Sequence, residues 1–165
     1  MIDSMNRLRE VMASAVAETF EEMFFLEVLQ VEFPEAPGPE PEVLKTSLLI
    51  NDPFPGEMCL EAPRSSVADM ARMLFNTDEE EIPEQTLLDL LAELLNTIAG
   101  RVMNRVIPPE TSFRLGLPET RTEGFLGTED EILECRFKVD DAIFSLAAGG
   151  EVFLSCLNPE GMPSQ

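Results

Sequence analysis

The chain of 165 residues has no histidine, no tryptophan and no tyrosine, and it has only three cysteines. Each absence removes chemistry. Without imidazole there is no Ser-His-Asp or Cys-His triad, no imidazole metal site and no ordinary general base near neutral pH. Cys59, Cys135 and Cys156 are far apart, odd in number and free of any C-x-x-C spacing. They read as buried thiols in a reducing compartment. Basic residues are also scarce: 11 Lys and Arg stand against 32 Asp and Glu, a formal net charge of -21. Such a surface repels nucleic acid and anionic lipid, so neither is an expected partner, and it favours encounter with an electropositive protein face. Excess acid also serves solubility. No apolar run approaches the ~20 residues needed to cross a bilayer, and the opening MIDSMNRLRE is too polar for a secretory signal. A cytoplasmic location is expected.

The remaining composition suits a folded protein. Apolar residues make up 44% of the chain and charged residues 26%, and the length supports a core without metal or disulfide. A single domain over 1–165 is expected, with an acidic, proline-rich loop at 33–42 and a tail at 158–165.

Leu8, Met12, Val16, Phe20 and Met23 recur at helical spacing and predict a first helix from about Ser4 to Leu29. VLKTSLLI and GEMCLEAP predict two strands around the turn NDPFPG. SSVADMARMLF predicts a short helix, Ser65 to Phe75, with Ser65 as its cap and Val67, Met70, Met73 and Leu74 on one side. After the acidic stretch NTDEEEIPEQ, the longest helix is predicted from Pro83 to Val106, with Pro83 in its first turn and Pro108 and Pro109 ending it. Three strands are expected after it, at Ser112 to Pro118, Ile132 to Val139 and Glu151 to Leu157. DDAIFSLAAGG, between the last two, cannot be assigned. The fold class is α+β, with helices, one of them long, packed on a largely antiparallel sheet.

The long helix contains DLLAELLNTIAGR, Asp89 to Arg101. At about 100° per residue, Asp89, Glu93, Asn96 and Gly100 fall within an arc of about 60°. Leu87, Leu91, Leu94, Leu95, Ile98 and Val102 cluster opposite, so the polar stripe faces outward. Solvation is the plain explanation of such a stripe, but the residue types argue against it. Asparagine is a poorer helix former than Ala, Glu or Lys by about 0.5 kcal/mol, and interior glycine costs about 1 kcal/mol relative to Ala. A glycine on the outward face removes a side chain where a macromolecule could approach closely.

Together with Pro118 in LGLPET, 22 positions after Asn96, this run resembles the signature of the CheC/CheX/FliY phosphatases of bacterial chemotaxis. That signature is Asp or Ser, three residues, Glu, two residues, Asn, then a distant Pro. The CheX branch is most similar. The first helix, ASAVAETFEEMFFLEV, with the hairpin and short helix after it, matches in element order. The resemblance implies a phosphatase acting on the aspartyl phosphate of a CheY-like response regulator. Glu93 and Asn96 would be the catalytic pair: Glu93 would dock on the regulator's active-site lysine, and Asn96 would orient a water for in-line attack. Asp89, Gly100 and Pro118 would support them, Pro118 by shaping the neighbouring strand end. It further implies no cofactor of its own, Mg2+ carried by the regulator, and a homodimer paired through its sheets.

An amide suits such a task, because it both donates to and accepts from water and brings no charge near the phosphoryl oxygens. Phosphoryl transfer needs positioning more than covalent help, so the missing histidine is no obstacle. Nothing near the stripe resembles a glycine cradle for a free phosphoester, and Arg101 and Arg105 point nearer the core side.

Ser14, Glu18 and Glu21 repeat the spacing of Asp89, Glu93 and Asn96 at an offset of 75 residues, too little to establish a duplication. Glu21 replaces the amide and Phe25 the glycine, so the first helix reads as a structural relic and one site is expected. The alternatives are a non-catalytic binding module of the same fold, for a receiver or switch protein, and a glycosidase using Asp89 and Glu93. The latter lacks any Trp or Tyr as a sugar platform.

Overall fold

The computed structural model describes residues 2–31, 42–120 and 132–153. Its elements are α1 (Ile2–Phe24), β1 (Val28–Val31), β2 (Val43–Asp52), β3 (Gly56–Pro63), α2 (Arg64–Phe75), α3 (Glu84–Val106), β4 (Arg114–Leu115), β5 (Glu119–Thr120), β6 (Ile132–Val139) and β7 (Ala142–Gly149). The strands form one antiparallel sheet in the order β1-β6-β7-β3-β2-β4, with β5 also paired to β2. All three helices lie on one face of it, α3 over β2 and β3 and α1 over β6 and β1. This is the α+β arrangement expected from the sequence. The loop expected at 33–42, apart from Glu42, and the tail at 158–165 lie outside the described residues, as does Cys156.

α1 buries Leu8, Met12, Val16 and Phe20, as their spacing requires. It ends at Phe24 rather than near Leu29. Phe25 adopts a left-handed φ of 57°, and its N–H donates to the Glu21 carbonyl at 3.0 Å, which closes the helix. Val28 to Val31 then form the edge strand β1 against β6. A run as apolar as FFLEVLQV serves either structure, and pairing with β6 decides it.

β2 and β3 make the expected hairpin, and β3 runs directly into α2. Ser65 is therefore not the cap. Pro63 holds that position without a side-chain bond, and the Arg64 N–H is satisfied by the Glu42 carbonyl at 2.8 Å. Val67, Met70 and Ala71 are buried, whereas Met73 and Leu74 overhang the core and remain partly exposed. The acidic segment after α2 is held by the Arg72 guanidinium, which donates to the backbone carbonyls of Glu79 and Glu80 at 2.8 and 2.5 Å. Pro83 sits one position outside α3, at its N-cap, and its carbonyl accepts the Thr86 and Leu87 N–H groups. At the other end the helix stops at Val106, with Ile107 extended before Pro108 as the residue before a proline prefers.

The stretch expected as a strand at Ser112 to Pro118 pairs only at Arg114–Leu115, and a second two-residue strand follows at Glu119–Thr120. Pro118 lies between them. Lacking an N–H, it cannot continue the ladder. DDAIFSLAAGG forms the turn at Asp140 and Asp141 and then β7, a central strand between β6 and β3. Phe144, Leu146 and Ala148 face the helices. The strand expected at Glu151 to Leu157 is corrected for its described part: 151–153 form a helical turn that buries Val152 and Phe153. Gly150 permits it with φ 105°, where a Cβ would stand 2.6 Å from the Gly56 Cα.

One continuous hydrophobic core joins the layers. Phe20 of α1 meets Phe144 of β7 edge to face at 5.3 Å. α3 contributes Leu87, Leu90, Leu91, Leu94, Leu95, Ile98, Ala99, Val102 and Met103. At roughly 1.5–3 kcal/mol for each large side chain removed from water, this face fixes the rotation of α3 about its axis. Whatever stands on the opposite face is thereby held pointing outward.

Candidate functional site

The outward face of α3 carries Asp89, Glu93 and Asn96, all exposed, and the half-exposed Gly100. With a rise of 1.5 Å per residue, the first three span about 10 Å and Gly100 lies about 6 Å further along. Asp89 is engaged: its Oδ1 accepts a hydrogen bond from Gln85 Nε2, one turn earlier, at 2.7 Å. Glu93 and Asn96 have no hydrogen-bond or ion-pair partner among the described residues. The Asn96 amide thus keeps its donors and its acceptor available to an external group. A Cβ built on Gly100 meets nothing within 4 Å, so no internal contact requires glycine there.

Pro118 reaches the neighbourhood from another part of the chain. It is half-buried between β4 and β5, and both of these strands touch α3. The stripe's four members share one helix face, and the proline flanks that helix from the sheet edge.

Among the described residues no cation stands on the stripe. Arg101 donates to Glu18 Oε2 at 3.4 Å and to Glu22, and Arg105 also donates to Glu18. Both arginines therefore clamp α1 against α3. Glu18 holds the place in the first helix that Glu93 holds in α3, and it is consumed by this clamp. Sequence periodicity put the arginines off the stripe but gave no sign of their partners. The only available signal was the matching one-turn spacing of Glu18 and Glu22 with Arg101 and Arg105. Phe25 was noted only as a departure from glycine. The structure leaves its side chain 89% exposed.

The stripe lines neither of two clefts among the described residues. One of about 670 Å³ opens between α1, β1 and β6, lined by Asn6, Arg9, Glu10, Gln30, Glu134 and Cys135 among others. Burial pushes the Cys135 thiol up to about 11, an effect that nearby Glu134 reinforces and Arg9 opposes. It is not a nucleophile at neutral pH. Cys59, expected to be buried, is only half-buried. Among the described residues no three acidic or cysteine side chains gather closely enough to hold a metal ion, and no helix is long and apolar enough to cross a membrane. An exposed stripe of acid and amide side chains is suited to docking on another macromolecule.

The family model described as chemotaxis phosphatase CheX matches residues 48–133, just over half of the chain, including the whole stripe and Pro118. No curated protein matches the chain. Among solved structures, the chemotaxis protein CheX of Desulfovibrio desulfuricans superposes with a TM-score of 0.69 at 12% identity, covering 88% of this chain and 99% of that one. CheX of Borrelia burgdorferi, crystallised in a complex with CheY, BeF3 and Mg2+, gives 0.65 at 14% identity over 85% and 95% of the two chains. FliY of Thermotoga maritima gives 0.62 at 12% identity over 96% of each. At such low identity these structures establish the shared fold, and the family model establishes kinship: this chain belongs to the CheX family of chemotaxis phosphatases.

Proposed function

We propose that the chain hydrolyses the aspartyl phosphate of a CheY-like receiver domain, using Asn96 to orient the attacking water and Glu93 to dock on the receiver's active-site lysine. The observation that carries this reading is the Asn96 amide, exposed, without a partner among the described residues, and backed by the buried Leu94, Leu95 and Ile98. The Borrelia burgdorferi complex, a CheX protein bound to CheY with BeF3 and Mg2+, supports the class of partner. The fold supplies position and orientation, which for this reaction are the main requirement.

In this reading the amide reaches past the helix surface to the phosphorus-bound oxygens and holds one water in line with the leaving carboxylate. The Glu93 carboxylate sits one turn away on the same face. It pairs with the ammonium of the receiver and thereby sets how deeply the amide enters. Asp89, held by Gln85, keeps the start of the stripe in order, and Gly100 lets the receiver approach its end. The divalent metal comes with the receiver, as does the acyl phosphate itself. The chain acts as a single domain, and as a homodimer formed through its sheet.

The test is the decay of a labelled phosphorylated receiver with wild type, Asn96→Ala and Glu93→Ala. Wild type shortens the lifetime. Asn96→Ala lowers the acceleration by about a hundredfold while binding survives, since misplacing a reactant by an ångström costs that much. Glu93→Ala weakens both docking and turnover. Binding without a shortened lifetime would instead make the chain a non-catalytic docking module.

A further inference from the structure

Phe25 is the most exposed large apolar side chain among the described residues, at 89%. It is also a bulky residue in left-handed backbone, φ 57°, at the helix-ending position where glycine is the ordinary choice. The cap itself is made by its backbone N–H on Glu21, so the ring contributes nothing to ending the helix. Inside the chain the ring has a steric cost and no compensating burial.

Its place relative to the stripe gives the ring a use. Arg101 reaches Glu22 and Glu18, and Arg105, one turn on, reaches Glu18, so α1 and α3 run antiparallel. Extending that register by one turn brings the end of α1, where Phe25 follows, level with the part of α3 that carries Asn96. The outward face of α1 bears exposed Ser14, Glu21 and Phe25, as the outward face of α3 bears its own stripe. Packed helix axes lie about 8–10 Å apart. A protein that seats itself on Asn96 covers about 800 Å², a patch of roughly 16 Å radius, wider than the spacing of two packed helices and so wide enough to reach the end of α1. The ring also lines a groove of about 360 Å³, with Ala17, Glu21, Leu26, Glu27 and Val28. Four of these residues are apolar and two are carboxylates, on a chain with net charge -21.

We propose that Phe25 and this groove form a second anchor for the same receiver, accepting an apolar residue flanked by a Lys or Arg beside its phosphorylation pocket. This rests on the phosphatase reading above. Phe25 would be a specificity-determining residue: it touches the docked domain and selects which receiver presents its phosphate to Asn96. The first helix, although without a second reactive pair, would then be part of the working surface.

The experiment uses the full chain and a CheY-type receiver phosphorylated from labelled acetyl phosphate, with kcat and KM measured for wild type, Phe25→Gly and Phe25→Tyr. Glycine relaxes the left-handed residue, so the thermal midpoint of Phe25→Gly should equal or exceed that of wild type. Its KM should rise about tenfold or more while kcat stays within about twofold, as for loss of an aromatic anchor at an interface. Phe25→Tyr should restore KM to within about threefold of wild type. An unchanged KM for Phe25→Gly, with Asn96→Ala still inactive, overturns the anchor and leaves the phosphatase reading intact. A fall in kcat without a rise in KM also overturns the anchor. If wild type does not accelerate hydrolysis of the receiver phosphate, both readings fall.

Discussion

Replacing Gly100 should make the protein more stable and less able to recognise its partner. A Cβ at this position meets nothing within 4 Å, and the residue lies inside α3 with helical backbone. Gly100→Ala should therefore stabilise the fold by about 1 kcal/mol, the helix-interior difference between the two residues. For a chain of this length that raises the thermal midpoint by about 2–4 °C. Gly100→Gln should yield a somewhat smaller gain, since glutamine forms helix nearly as well as alanine. It also projects a long side chain into the space a docked receiver would occupy. Its KM should rise at least tenfold, equivalent to about 1.4 kcal/mol of lost binding, with kcat little changed. Circular dichroism melts and receiver-decay kinetics on the same preparations test both halves. A midpoint lowered by Gly100→Ala would contradict the open space above the residue. A Gln variant with wild-type KM would show that nothing docks there, and the stripe would be only a solvated face.

Behind the stripe, Leu94 is fully buried in the core between α3 and the sheet. Leu94→Ala should cost about 2–5 kcal/mol in denaturant unfolding, a large share of a typical domain's stability. Because the core fixes the rotation of α3, surviving protein should also show reduced kcat. The Cys135 thiol, with its ordinary value of 9.0 pushed up to about 11 chiefly by burial, predicts a pH dependence. Below about pH 9 the thiol is protonated in both folded and unfolded chains and stability is unaffected by it. As pH rises from 9 toward 11 the unfolded chain ionises first, so stability should fall through that window. Urea titrations of wild type and Cys135→Ala across it measure the effect, which should be absent in the variant.

Much of this arrangement could be read from residue order, for identifiable reasons. Period 3.6 in α3 is unbroken, since its buried positions are all apolar and Asp89, Glu93 and Asn96 stand on the exposed side. That contrast located the stripe before any coordinates. β6 was equally plain, because Glu134, Arg136 and Lys138 alternate with Leu133, Cys135, Phe137 and Val139. β7 was not, because its outward positions include Ile143 and Ala147, which erase the alternation. The end of α1 was misplaced because apolar residues continue past Phe24 into β1, and a left-handed phenylalanine carries no local stop signal of the kind glycine supplies. Ser65 resembled a cap, but the cap position was already taken by a strand running straight into the helix. The clamp of Arg101 and Arg105 on Glu18 and Glu22 joins residues some eighty positions apart, and local pattern contains no information on that scale.

The clamp also bears on valency. Restoring an amide at Glu21 and a glycine at Phe25 would not duplicate the stripe on α1, because Glu18, the carboxylate in the place of Glu93, already pairs with two arginines. Freeing it would loosen the pairing of the two long helices on which Asn96 depends. If the stripe on α3 is the reaction centre, the clamp leaves α1 without one, and in a titration each copy should saturate with a single receiver.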